Sequence, residues 1–149
     1  MKLLSNDLKH EEIIDRKFTC DGEDFSPHLK WMEYPKETKS FAISCIDIDA
    51  DLGLWSHWYL YDIPPEITEV DQDGSIPGKI LENDFGNRYY NGPCSGDKHR
   101  YVFKVHALNI ETLENVNNGN FRKVIRSYEI DSAEIMGYYE REVPDRIFL

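Results

Sequence analysis

The chain has 149 residues, the size of one domain that buries roughly 68 to 70% of its unfolded surface, and the sequence predicts a single domain over 1–149. Its 28 acidic against 17 basic residues give a net charge of -11, which argues against nucleic acid or an anionic bilayer as the main partner. No run approaches the ~20 apolar residues that a membrane span needs, and Cys20, Cys45 and Cys94, without metal spacing or an apolar leader, predict reduced thiols in a cytoplasm.

Residues 1–17 scatter apolar side chains among charges and predict an edge strand or an irregular lead-in. Phe18 to Gly22 predicts a short strand ending at an Asp-Gly turn. Ser26 and Pro27 set an extended or turn entry, after which Leu29 and Trp31 alternate toward the core, and Tyr34 to Lys39 forms a polar loop. Phe41 to Pro65 predicts two strands joined by a short acidic loop. In the first strand Phe41, Ile43, Cys45, Asp47 and Asp49 share a parity, so two carboxylates follow an apolar row onto one face. In the second, His57, Tyr59, Tyr61 and Ile63 share one parity while Trp58, Leu60 and Asp62 take the other. Pro64 and Pro65 then stop the ladder.

Residues 70–98 hold Gly74, Gly78, Gly86, Gly92 and Gly96, five of the nine glycines, with Pro77 and Pro93, the composition of a binding loop. A strand follows over Arg100 to Leu108, with Tyr101, Phe103, Val105 and Ala107 on one face. His99 falls on that apolar side, whereas His106 lies with Arg100 and Lys104 on a mixed face. Phe121, Val124, Ile125 and Tyr128 recur at i, i+3, i+4 and i+7 and predict an amphipathic helix. A second short helix is predicted from Ser132 to Met136, with Ser132 as its N-cap and Gly137 as its stop. Tyr138 to Leu149 reads as a final strand or docked tail, so the chain is mostly β with two late helices.

Asp47, Asp49 and Asp51 imitate a calcium loop, but its sixth position is Leu52 and its twelfth is Trp58, where glycine and glutamate are needed. A solvated turn accounts for Asp51 and competes for Asp49; it is weakest for Asp47, which continues the apolar parity. One inward histidine is ordinarily a core residue bonded to a carbonyl. His57 and His99 together with Asp47 instead suggest a pocket, with imidazole N–H donors, the Tyr101 phenol and the amides of Gly92 to Cys94. Asp47 beside an imidazole favours its protonated form, which makes an anion site. Zinc is the alternative for two histidines and an aspartate, but no His-x-x-x-His pair is present, so neither a metal nor another cofactor is expected. Nucleophilic hydrolysis is not expected either: there is no Gly-x-Ser-x-Gly elbow, and Cys94 with His99 is a coincidence of spacing.

Asp47 to Asp51, Trp55-Ser56-His57-Trp58 and Gly92-Pro93 through His99-Arg100-Tyr101 occur in the order that marks the phosphatidylethanolamine-binding protein family, which the chain resembles. Phe18 to Gly22, Ser26 to Trp31, Asn83 to Gly86 and Gly137-Tyr138 support the likeness, which spans residues 18–141. The resemblance implies a mostly β fold, a central antiparallel sheet packed on a smaller one with short peripheral and C-terminal helices. It also implies a non-catalytic pocket for a phosphate-like or carboxylate anion of the phosphorylethanolamine headgroup type. Asp47, His57, His99 and Tyr101 would line it, and Trp55 with Gly92 and Pro93 would wall it. In that reading the histidines and Tyr101 donate to the anion, Asp47 orients His57 or meets a ligand ammonium, and Trp55 stacks on that ammonium. A small anionic ligand is thus the expected partner, with a kinase or protease to be inhibited as the alternative and a homodimer compatible with both. An acid–base enzyme using Asp47 and His57 on a phosphoester is the third reading. Ile48 and Asp51 replace the family's prolines, which implies a looser, more negative rim and weaker anion affinity. The missing long C-terminal extension of eukaryotic members weighs against an inherited kinase-inhibitor role.

Overall fold

Among residues 1–142, which the computed structural model describes, the chain forms nine strands and one α-helix. The strands are β1 (Lys2–Leu4), β2 (Glu12–Ile13), β3 (Leu29–Met32), β4 (Ser40–Asp47), β5 (Trp55–Ile63), β6 (Glu69–Val70), β7 (Lys79–Ile80), β8 (His99–Leu108) and β9 (Glu129–Tyr139); helix α1 is Phe121–Tyr128. A six-stranded sheet runs β2-β9-β8-β4-β5-β7 and a three-stranded sheet runs β1-β3-β6. All pairs are antiparallel except β2 with β9.

The core lies between the two sheets. Leu29, Trp31 and Val70 of the smaller sheet meet Phe41, Ile43, Cys45, Trp58, Leu60, Phe103 and Val105 of the larger, with Trp31 edge-on to Phe41 at 5.5 Å. On the other face of the large sheet α1 buries Phe121 and Ile125 against Ala42, Tyr59 and Leu108, and Phe121 stacks on Tyr59 at 4.0 Å. Burying aromatic rings of this size dominates core energetics. No helix among the described residues is long and apolar enough to cross a membrane.

Four local expectations are corrected. The second late helix does not form: Ser132 to Met136 lies within β9, paired with β8 from His106 to Val102. Sheet pairing and the alternating burial of Ile135, Gly137 and Tyr139 override a weak capping signal. Gly137 is no helix stop; a Cβ there would collide with Ile14, which packs against it beside β2. Phe18 to Gly22 is no strand, because Arg16–Phe18 is a 3-10 helix capped by Asp15, whose carboxylate accepts from the Lys17 amide at 2.9 Å. The simple parity of β5 also fails. Cys45 pairs with Trp58 and Ile46 with Ser56, so His57 is the extra residue of a bulge; a second shift lies between Phe41 and Ile43. Finally, the thiols are not all reduced. Cys20 and Cys94 form a disulfide and only Cys45 is free, buried in the core. Of the predicted tail, Tyr138 and Tyr139 belong to β9, whereas residues 143–149, with Pro144, lie outside the described residues.

Candidate functional site

The C-terminal end of β4 and the start of β8 are opposite each other, with Asp47 paired to Tyr101, and β5 begins beside them with Trp55 paired to Asp47. Three strand ends therefore deliver Asp47, Trp55, His57, His99 and Tyr101 to one cavity of about 200 Å³. The bulge turns His57 into it: the ring lies edge-on to Tyr101 at 5.3 Å and to Phe85 at 4.9 Å. Cys94, Ser95 and Phe85 complete the wall. Gly92 and Pro93 sit one layer behind. The Gly92 amide donates to Asp24 at 2.8 Å, and a Cβ there would strike the Phe18 carbonyl and the Asp24 carboxylate. The Pro93 carbonyl accepts from the Cys20 amide at 3.1 Å, beside the disulfide.

Each imidazole is held by its Nδ1. His57 donates from Nδ1 to the Asn91 carbonyl at 2.5 Å, and His99 donates from Nδ1 to Asp47 Oδ2 at 2.7 Å. Asp47 thus orients His99 and not His57, as the bulge moves His57 toward the 83–91 loop. The second Asp47 oxygen accepts the Asp49 amide at 2.9 Å, so this buried carboxylate is fully engaged. Neither Nε2 has an intramolecular partner among the described residues, which leaves both for a ligand. Burial pushes the His57 pKa below its ordinary 6.5 despite the nearby Asn91 carbonyl and Asp47. Burial also raises the Tyr101 phenol, which stays protonated and donates to Ser95 Oγ at 2.7 Å.

Two supports were not anticipated. Asn83, 4% exposed, uses its amide to reach the His57 and Tyr89 carbonyls at 3.1 and 2.9 Å and accepts the Phe85 amide at 3.0 Å, which folds the loop that carries Phe85. The Asn83 to Gly86 motif was the only signal of it. Asp49, allotted above to a solvated turn or an inward face, is clamped by Arg100 through Nε at 2.9 Å, a terminal nitrogen at 2.7 Å and the backbone amide at 2.8 Å. That guanidinium holds the Asp49 pKa at about 2. The clamp ties the 48–54 loop to the start of β8. Among the described residues no three His, Cys, Asp or Glu side chains are placed to hold a metal ion.

Comparison with known proteins bears on this arrangement. The model of the phosphatidylethanolamine-binding protein family matches residues 4–140. A UPF0098 protein of Aquifex aeolicus is 38% identical over 154 residues, covering 95% of this chain and 90% of the relative. The UPF0098 protein YbhB of Escherichia coli is 39% identical over 129 residues, covering 76% and 82%. Among solved structures, a phosphatidylethanolamine-binding protein homologue of Chlamydia trachomatis superposes with a TM-score of 0.87 at 30% identity, covering 95% of this chain and 97% of that one. Escherichia coli YbcL, described as a new member of the mammalian family, gives 0.86 at 31%, covering 95% and 98%.

Proposed function

This chain belongs to the phosphatidylethanolamine-binding protein family, and from that premise we propose that its His57/His99 cavity binds a small phosphate-like or carboxylate anion without turning it over. The observation that carries the reading is the pair of Nε2 atoms left unpartnered in one small cavity by Nδ1 bonds to Asn91 and Asp47. A cavity of about 200 Å³ lies below the ≈ 300–1,000 Å³ of drug-sized sites and suits a headgroup. With Nδ1–H already committed, each imidazole offers an Nε2–H to an anion only in its protonated form. Asp47 holds His99 in place by direct contact at 2.7 Å. The Trp55 ring in the wall supports the ammonium of a zwitterionic headgroup. Cys94 is bonded to Cys20, so no Cys94–His99 dyad contributes chemistry. The same bond withdraws the thiol argument for a cytoplasmic location, since disulfides persist in oxidising compartments.

The test is calorimetric titration with inorganic phosphate and with O-phosphorylethanolamine on either side of pH 6.5. Affinity is expected to fall as pH rises, because the free His57 is pushed down by burial and binding must draw in its proton. No binding at either pH, or binding that strengthens with pH, would overturn the proposal.

A second reading, inhibition of a kinase or protease through the rim, has one observation in its favour. Leu52 and Phe85 are 87% and 45% exposed on the two loops whose residues Asp51 and Phe85 line the cavity. A pull-down that returns the same partners from wild type and Leu52→Asp would count against it.

A further inference from the structure

On the opposite face of the large sheet, beneath α1, three adjacent strands contribute one more constellation. Ser44 of β4 lies 2.9 Å from His106 Nε2 on β8, and His106 Nδ1 lies 2.5 Å from Glu129 Oε1 at the start of β9. Ser44 and His106 are diagonal cross-strand neighbours, since Ser44 pairs with Lys104 and Ala42 with His106. A register shift between Ala107 and Leu108 sets Glu129 opposite Leu108. Ser44 and His106 are buried at 3% and 6% exposure, yet both line a cavity of about 220 Å³ roofed by the helix.

The hydrogen positions follow from the partners. Hydrogen bonding from His106 holds the Glu129 carboxyl below its ordinary range, so it is a carboxylate and only accepts. His106 Nδ1 must then carry a proton. Burial pushes the imidazole down, against Glu129 and Glu134 and together with Lys104, so the ring is neutral and Nε2 is a bare acceptor. Among the described residues its hydrogen-bond partner is the Ser44 hydroxyl, which donates to it. Hydroxyl, imidazole and carboxylate in this order are the parts of an activated serine nucleophile, which is recognised by geometry and roles, with no need of an elbow motif.

We propose that Ser44, His106 and Glu129 form a second, nucleophilic site that cleaves small esters bearing an anionic group. The cavity selects that class: Ile46, Phe121 and Ile125 offer an apolar wall for a short acyl chain. Lys104, Arg122 and Arg126 ring it with positive charge on a chain of net charge -11. Ser44 Oγ bonds to the ester carbonyl carbon while its proton passes to His106 Nε2. The alkoxide leaves with that proton as the alcohol, and the acyl group stays on Ser44. Water then gives a proton to His106 and its oxygen to the acyl carbon; the carboxylic acid leaves and Ser44 takes the proton back. Ser44 stands mid-strand, paired on both sides, so in place of a loop's amide pair the positive charge for the developing oxyanion would come from Lys104, Arg122 and Arg126, which line the same cavity. Glu129 acts through His106 and is a positioning residue.

The experiment treats the whole protein with a fluorophosphonate, whose phosphorus Ser44 would take with loss of fluoride, and maps the adduct by peptide mass spectrometry. Hydrolysis of 4-acetoxybenzoate, which is anionic, is compared with that of neutral phenyl acetate. The expected result is one adduct on Ser44, faster cleavage of the anionic ester, and a loss of about 10²-fold or more in His106→Gln. Glu129→Gln should also move the pH midpoint of the rate, which a merely structural carboxylate would leave in place. Wild-type protein without a Ser44 adduct overturns the proposal regardless of how any variant folds, as does a hydrolysis rate unchanged in Ser44→Ala.

Discussion

Two histidines that composition treats alike differ in what holds them. His57 is fixed by a neutral carbonyl and pushed down by burial, whereas His99 is fixed by a carboxylate. Losing one charge-assisted hydrogen bond costs about 1.5–3 kcal/mol, so His57→Ala and His99→Ala should each weaken phosphate binding roughly 10- to 150-fold. Calorimetry checks this, with circular dichroism confirming the fold, and unchanged affinity in both variants would remove them from the site. Asp47→Asn keeps the shape but loses the charged partner of His99 Nδ1. Its phosphate affinity should fall roughly 10-fold or more in the same calorimetry, and unchanged affinity would show that the Asp47 charge does not serve the site. Asp47 was legible because it continues an apolar parity onto a buried face.

At the level of elements, the wall of the cavity depends on a loop stapled twice. The Cys20–Cys94 bridge spans 74 residues of sequence, and Asn83 gathers the 83–91 turn under His57. Closing a loop of that length limits the unfolded chain, so Cys20→Ser should lower the unfolding free energy by about 2–4 kcal/mol in a denaturant titration. Thiol titration of the unfolded, unreduced protein should count one thiol, Cys45, and three after reduction; three before reduction would contradict the bridge. The disulfide was not legible, because spacing along the chain says nothing about which loops meet. The misread helix at Ser132 to Met136 has a related cause. Its cap signal is local, but the partner that makes it a strand is β8, some 30 residues away.

For the molecule as a whole, burial of His57 and His106 makes stability depend on pH. Both pKa values lie below the unfolded 6.5, so below that pH the unfolded chain binds more protons and stability declines on acidification. Asp49, held at about 2 against 3.8, adds stability above 3.8 that is lost as pH falls toward 2. Denaturant midpoints should therefore drop between about pH 7.5 and 5.5, before carboxylate titration relieves the acidic self-repulsion. A flat or rising midpoint over that interval would mean that these imidazoles charge as freely folded as unfolded.

The amino-acid sequence by itself determined the long strands, the amphipathic helix, the family likeness and most of the residues around the cavity. These follow from alternation, from the 3.6-residue period and from motifs in a fixed order, all of which are local or additive along the chain. Only the tertiary structure decided that His57 turns inward at a bulge, that Asp47 serves His99, that Cys20 reaches Cys94, and that Ser44, His106 and Glu129 stand in a row. Each of these depends on register between strands that are distant in sequence, and a single-residue shift moves a side chain to the other face.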